Sequence, residues 1–344
     1  MKIFDSLTHP TINGEWFGRK VENTFEHTAK KLHASDFCGA CAVGLDGRHE
    51  YEHKSFISAC NKHPELIPIA AYNPLSVNFL KNLNAIAKLG FKGIKIHPRI
   101  SEVSLSRDKK RLIKVFARAT ELSLPIFLCT YYSAGPEKFP DEDPLFQLAS
   151  ILNYVPETKI ILLHGGGVRL MEYAELVKFN PNLLLDLSFT IMKYRGSSLD
   201  IDCRYLFENL DRKLCIGTDG PEYEQCDLRK RFEDLSEGLS MYKKENIAFR
   251  NIMNFLGVKP WRILKKRKSS SVTASVLQHA DTVRKLWAGA NIGIGCVTIS
   301  CWIIGVSRIV TRYSISVVDL VTCIPTVKAK SLRSLTQAWI SIPT

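Results

Sequence analysis

The chain has 344 residues, 45% hydrophobic and 24% charged, which is material for one large domain or two ordinary ones and excludes global disorder. Of its 47 basic and 34 acidic residues, 13 basic and two acidic (Asp281, Asp319) fall from Lys259 onward, leaving +2 on the body and +11 on the last 86 residues. Charge-driven binding to nucleic acid or membrane is therefore excluded for the body and concerns only the tail.

The chain opens MKIFDSLTHP, without a charged start followed by a long apolar run, so no secretory signal is expected. Its first apolar run, Lys2–Ser6, predicts a strand. The second, Phe37–Leu45, carries Cys38 and Cys41 in C-x-x-C spacing. Within FCGACAVGL these read as small core residues rather than a redox or zinc pair, and ten cysteines fit a reducing cytoplasm. After the third run, Leu66–Tyr72, the segment Ser76–Leu89 places Phe79, Leu80, Leu83, Ile86 and Ala87 on one helical face, with Gly90 as its stop. The fourth run, Phe91–His97, precedes a helix over Asp108–Ser123 whose apolar face is Leu112, Val115, Phe116 and Ala119. The fifth, Pro125–Tyr131, leads to a helix opened by Asp143 and Pro144 and followed by Pro156. The sixth, seventh and eighth, Lys159–His164, Asn182–Ser188 and Lys213–Thr218, alternate with helices over Leu170–Phe179, Leu199–Leu210 and Leu228–Met241.

All eight runs are continuous in polarity, as strands buried on both faces of a parallel sheet are. Eight strand–helix units over residues 1–257 predict an α/β fold, a (β/α)8 TIM barrel. A doubly wound open sheet is the alternative; it usually has fewer units and a Gly-rich turn after its first strand, and that turn is absent. Past Gly257 the rhythm stops. Residues 258–271 form a basic linker and residues 272–344 a C-terminal extension, read as disordered or as holding one membrane-associated segment. The segment in question, Leu286–Ser307, runs 22 residues without a charge but contains four glycines and Asn291. Aromatic residues are too sparse in the tail for a nucleic-acid stacking surface, so no nucleic-acid partner is expected.

In such a barrel, chemistry collects where strands end. Those ends carry His9 (first), Lys95, His97 and Arg99 (fourth), Cys129 (fifth), His164 with three glycines (sixth) and Asp219 (eighth). Imidazoles beside a carboxylate suit a divalent metal of the zinc type, which would activate a water and polarise a carbonyl. Asp219 is also a candidate general base. Lys95, His97, Arg99 and Arg169 are the candidate substrate-binding residues, cationic groups that pair with a carboxylate. Trp16, Tyr131, Tyr132, Tyr194 and Arg195 lie in the surrounding loops. A small, carboxylated or planar substrate is expected. Each residue also has a plainer reading: a histidine bonded structurally, an aspartate capping a helix.

The stretches IFDSLTHP, GFKGIKIHP, LPIFLCTYY, KIILLHGGG, CIGTDGPE and FRNIMNFLG, in this order, resemble the amidohydrolase superfamily, in its amidohydrolase-related branch, over residues 1–257. The resemblance implies a hydrolase of small-molecule C–N or C–O bonds, with decarboxylases also in the branch. It further implies a metal held by an H-x-H pair, histidines on strands five and six and an aspartate on strand eight. His9, His164 and Asp219 match the second, fourth and last of these, while Leu7 and Cys129 stand where histidines belong. His9, Cys129, His164 and Asp219 are then the candidate ligands of one divalent metal such as zinc, with catalytic roles for Asp219 and His164. A binuclear centre lacks a bridging group other than Lys95. Metal-bound, metal-free and degenerate scaffold forms remain open, as does the oligomeric state.

Overall fold

Strands form where the apolar runs were read, because both faces of each run are covered. Ile3–Thr8 (β1) is buried at all six positions. Glu15–Trp16 (β2) and Arg19–Lys20 (β3) pair as a small antiparallel hairpin that no apolar pattern announces. The chain continues through helix Phe25–Ala34 (α1), strand Phe37–Val43 (β4), helix His53–Cys60 (α2), strand Leu66–Ala71 (β5), helix Phe79–Leu89 (α3) and strand Ile94–Ile96 (β6). Helix Lys109–Glu121 (α4), strand Ile126–Cys129 (β7), helix Pro144–Leu152 (α5), strand Ile160–Leu163 (β8) and helix Leu170–Lys178 (α6) follow. The last part comprises strand Leu183–Asp186 (β9), helices Thr190–Lys193 (α7) and Leu199–Asn209 (α8), strand Leu214–Cys215 (β10), and helices Gln225–Leu235 (α9), Met241–Glu245 (α10) and Asn251–Phe255 (α11). The computed structural model describes residues 1–48, 50–132 and 142–258. All lie in the first of two compact units, Met1–Ser269. The proposed linker beyond Val258, the extension 272–344 and its segment 286–307 lie outside the described residues.

The eight-stranded sheet has the order β1-β4-β5-β6-β7-β8-β9-β10, parallel throughout. It curls until its edges meet. Ser6 N donates to Ile216 O (3.0 Å), Asp219 N to Leu7 O (2.9 Å) and His9 N to Gly220 O (2.7 Å). A side chain at Gly217 would come within 2.6 Å of Ser6 Oγ and 2.8 Å of Leu7 N, so the residue at this seam must lack a Cβ. The result is a nearly closed TIM barrel.

Side-chain alternation divides the core in two. Ile126 and Leu128 of β7, and Ile160 and Leu162 of β8, pack outward against the helices. Phe127, Ile161 and Leu163 belong to a second cluster with Phe4, Leu7, Val43, Ile69 and Leu184, which fills the barrel, and α11 adds Ile252 and Met253. By the same alternation Lys95, between Ile94 and Ile96, turns inward. The helices are set by their predicted faces. Leu112, Val115, Phe116 and Ala119 of α4 are all buried, Gly90 closes α3 in the left-handed conformation (φ 95°), and Asp143 caps α5 by accepting from Leu145 N.

Several boundaries differ from the sequence reading, among them the eighth strand, which is only Leu214–Cys215, and the following two. The fourth strand stops at Ile96, because His97 O accepts from Ile100 N and Ser101 N and so begins a turn. The helix expected over Leu228–Met241 splits: α9 ends at Leu235, Gly238 turns the chain with φ 79°, and Ser240 caps α10. Cys38 and Cys41 are free and buried in β4, as core thiols are, and burial raises both their pKa values.

Candidate active site

His9, Lys95, His97, Arg99, His164 and Asp219 line one cavity of about 380 Å³ at the C-terminal ends of the strands. β1 delivers His9, β6 delivers Lys95 and the turn that starts at His97, and β8 and β10 lead into His164 and Asp219. Aromatic walls come from Trp16, Phe17, Tyr131 and Phe189. Among the described non-glycine residues, eight have positive φ, and four of these, Phe17, His164, Phe189 and Asp219, line this cavity. L-residues are held in that region only where the surroundings over-determine them, and such positions cluster at functional sites.

Each ionisable group has a defined state. His9 is buried and its Nδ1 faces Val43 O at 2.6 Å, so Nδ1 carries the proton and donates. Burial, then the charge of Lys95, lowers its pKa to about 4, so the ring is neutral and Nε2 is an acceptor. Lys95 Nζ lies 3.0 Å from that Nε2 and donates to it; burial lowers the Lys95 pKa, and Asp219, Cys129 and Asp186 act in the opposite direction. Asp219 Oδ1 is 3.4 Å from the same nitrogen. Burial alone would raise the Asp219 pKa, but the charges of His164 and Lys95 outweigh it and hold the carboxyl ionised, well below the usual carboxylate range. His164 Nδ1 points at Ser188 O (3.2 Å). Burial opposes its charge, yet Asp219 and Cys129 raise its pKa to about 9, which makes it a cation at neutral pH. Burial likewise works against a Cys129 thiolate, but His97 and His164 on either side overcome it and pull its pKa well down.

Below this layer, Asp186 accepts hydrogen bonds from Ser6 and Ser188. Asp5 accepts from Thr218 N (2.8 Å) and Thr218 Oγ1 (2.7 Å). These buried carboxylates tie β1, β9 and β10 together under the cavity. Trp16, carried in by the hairpin, stacks on His9 (centroids 5.3 Å apart, 22° between planes) and donates from Nε1 to Glu222 Oε1 at 2.8 Å.

Not every residue named from the sequence reaches the cavity. Arg169 forms a two-pronged pair with Asp143 (2.9 and 2.8 Å) and also bonds Glu172, so its guanidinium is already committed to carboxylates. Arg195 faces Asp234 at 3.8 Å. The Glu172 partner, three residues on in the same helical stretch, was visible as a pattern. Conversely, Arg48, Phe189 and Glu222 line the cavity without having been singled out. Each follows a barrel strand within a few residues, in DGRH, LSFT and DGPE, and that position was the available signal. Arg48 has no carboxylate partner among the described residues, and Arg99 bonds only Tyr131 O through Nε (2.8 Å) and lies 5.6 Å from that ring's centroid. Leu7 is fully buried in the apolar cluster. No three His, Cys, Asp or Glu side chains among the described residues form a group able to hold a metal ion, and no helix among them is long and apolar enough to cross a membrane.

The family model described as "Amidohydrolase" matches residues 50–214. No curated protein matches the chain. Solved structures that share the fold include an uncharacterised TIM-barrel protein from Bordetella bronchiseptica (TM-score 0.62, 16% identity, covering 75% of this chain and 100% of that one). A probable 2-pyrone-4,6-dicarboxylic acid hydrolase from Acinetobacter baumannii gives a TM-score of 0.56 at 15% identity, over 75% of this chain and 100% of that one. A dihydroorotase from Campylobacter jejuni gives 0.52 at 14% identity, over 75% and 84%.

Proposed function

From the match of residues 50–214 to the amidohydrolase family model, we propose that the chain is a hydrolase cleaving a C–O or C–N bond in a small carboxylated molecule. The observation that carries this reading is the convergence of an anionic Asp219 with a cationic His164 and the Lys95 amine on one cavity. An anchor for the substrate carboxylate is available in Arg48 and Arg99, and Trp16, Tyr131 and Phe189 offer flat apolar walls to a ring.

In this proposal Asp219 orients and deprotonates the attacking water. A carboxylate held so low is a weak base until its counter-charges are drawn away. A substrate carbonyl oxygen does this by attracting Lys95 and His164, which stabilise the negative charge that develops on it. Asp219 gains basicity at the moment it is needed, and His164, cationic below about pH 9, can return a proton to the leaving group.

Superfamily members commonly bind divalent metals, but no step above is routed through one. The names of the solved neighbours guide the choice of assay: carboxylated lactones, cyclic imides and amides, and N-acyl compounds. The full chain is expected to hydrolyse at least one class, and Asp219→Asn is expected to lose a factor of about 10² to 10⁴ in kcat. Release of CO₂ instead of a new acid would favour a decarboxylase. Binding without turnover, unchanged in Asp219→Asn, would leave a scaffold and overturn the proposal. Six of the seven described cysteines are free and buried, which supports a reducing, cytoplasmic setting; recovery of the chain in a carbonate-resistant membrane fraction would refute it.

A further inference from the structure

We propose that the resident cation of this site is the Lys95 ammonium, and that it excludes the divalent metal that related barrels hold. The inference concerns the same cavity as the proposed hydrolase and rests on that reading only for its bearing on catalysis.

The geometry around His9 carries it. Nδ1 is spent on Val43 O at 2.6 Å, so the only lone pair His9 can offer a metal is on Nε2. Lys95 Nζ already sits 3.0 Å from that atom. Zinc would bind the same lone pair at about 2.0–2.1 Å, which leaves it roughly 1 Å from the Lys95 nitrogen along the same direction. The two cannot coexist at those distances. Lys95 is 3% exposed, and its strand is paired on both sides, with Ala71 and Phe127 opposite it, which fixes its backbone. Asp219 Oδ1, 3.4 Å from His9 Nε2, turns its negative charge to the same point. The Lys95 amine therefore occupies the one lone pair of His9 that a metal would need.

The remaining candidate ligands do not compensate. Leu7 has no donor atom and lies in the apolar interior with Phe4 and Phe127. Cys129 is buried at the end of β7 and does not line the cavity that His9 and Asp219 share. A fixed ammonium can polarise a carbonyl as a metal does, while adding no coordination sites and demanding only two acceptors instead of four. Loss of the first-strand histidine and retention of His9 and Asp219 are then parts of one arrangement rather than the remnant of a metal centre.

The test is a titration of the purified full chain with Co²⁺, followed by its visible absorption, alongside elemental analysis of protein grown with added zinc. The wild type is expected to contain well below one equivalent of metal and to show no saturable cobalt band. Lys95→Ala, which frees His9 Nε2, is expected to bind cobalt roughly tenfold or more tightly than the wild type. Should Lys95→Ala fail to fold, as judged by circular dichroism, Lys95→Gln gives the same comparison. Near-stoichiometric metal in the wild type that disappears in His9→Ala overturns the proposal. So does equal cobalt binding by both chains, and so does wild-type uptake that depends on added bicarbonate, which would mean a carbamylated Lys95. Failure to find any hydrolysed substrate would sink the hydrolase reading and leave these metal measurements standing.

Discussion

Replacing Leu7 by histidine restores a ligand type to the first strand, and the structure predicts that it damages the barrel without recruiting a metal. Leu7 is 0% exposed and packs in the cluster that includes Phe4, Val43, Phe127 and Leu163. Full burial of a leucine is worth about 1.5–3 kcal/mol. An imidazole recovers part of this through its carbons, but it brings ring nitrogens among side chains that offer no partner, and an unsatisfied buried polar group costs about 1–3 kcal/mol. The expected loss for Leu7→His is therefore about 3–5 kcal/mol, a large share of the roughly 5–15 kcal/mol that holds a domain folded. Leu7→Met keeps shape and polarity and should cost less than about 1.5 kcal/mol. Urea unfolding followed by circular dichroism, with both variants in the full chain, measures the difference through the midpoints. Elemental analysis of Leu7→His should find no more zinc than in the wild type. If Leu7→His unfolds together with the methionine control and carries an equivalent of metal, position 7 opens to the cavity and the account of the barrel interior is wrong.

Other outcomes follow from the site. His164 has its pKa raised from 6.5 to about 9, so its stabilising contribution is complete below pH 6.5 and is lost as pH rises through 9. The unfolding free energy from urea titrations should therefore fall between pH 7 and 10 by an amount on the order of 2–3 kcal/mol, and this slope should flatten in His164→Gln. Cys129 should appear as a thiolate absorbing near 240 nm at pH 7, a signal removed by Cys129→Ser, since its pKa is held down while burial raises those of Cys41, Cys60 and Cys215. No difference between the two spectra would refute the His97–Cys129–His164 arrangement. Arg99→Ala and Arg48→Ala should each raise KM for a carboxylated substrate roughly 10-fold or more with a smaller change in kcat, and an unchanged KM in both would remove the carboxylate anchor.

The barrel was legible because its strands are buried on two sides. Runs such as KIILL and NLLLD cannot alternate polarity when one face meets helices and the other fills the interior. Strand ends were less legible, since the hydrogen-bonded ladder stops before the apolar run does, as at Ile96 and His97. His9, Lys95, His164 and Asp219 could be named because their place at a strand end is a consequence of topology. Arg48 and Phe189 could not, because loop conformation decides where they point, and Phe189 reaches the cavity only through a positive φ of 62°. Arg169 illustrates the converse. Its cationic type suited a substrate, but two carboxylates from its own neighbourhood claim it. The hairpin that brings Trp16 over His9 leaves no periodic trace, being two residues per strand.

The seam between β1 and β10 also sets when the site can come into being. Asp5 and Thr218, 213 residues apart in sequence, are bonded across it at 2.7 Å, and His9 meets Asp219 in the next layer up. A contact of that sequence separation forms late and at high entropic cost. During synthesis, seven strands can be assembled while His9 still lacks its carboxylate. The proposed site would therefore be completed in a single step, with ring closure, and a chain cut just before Asp219 would hold most of the fold without that carboxylate.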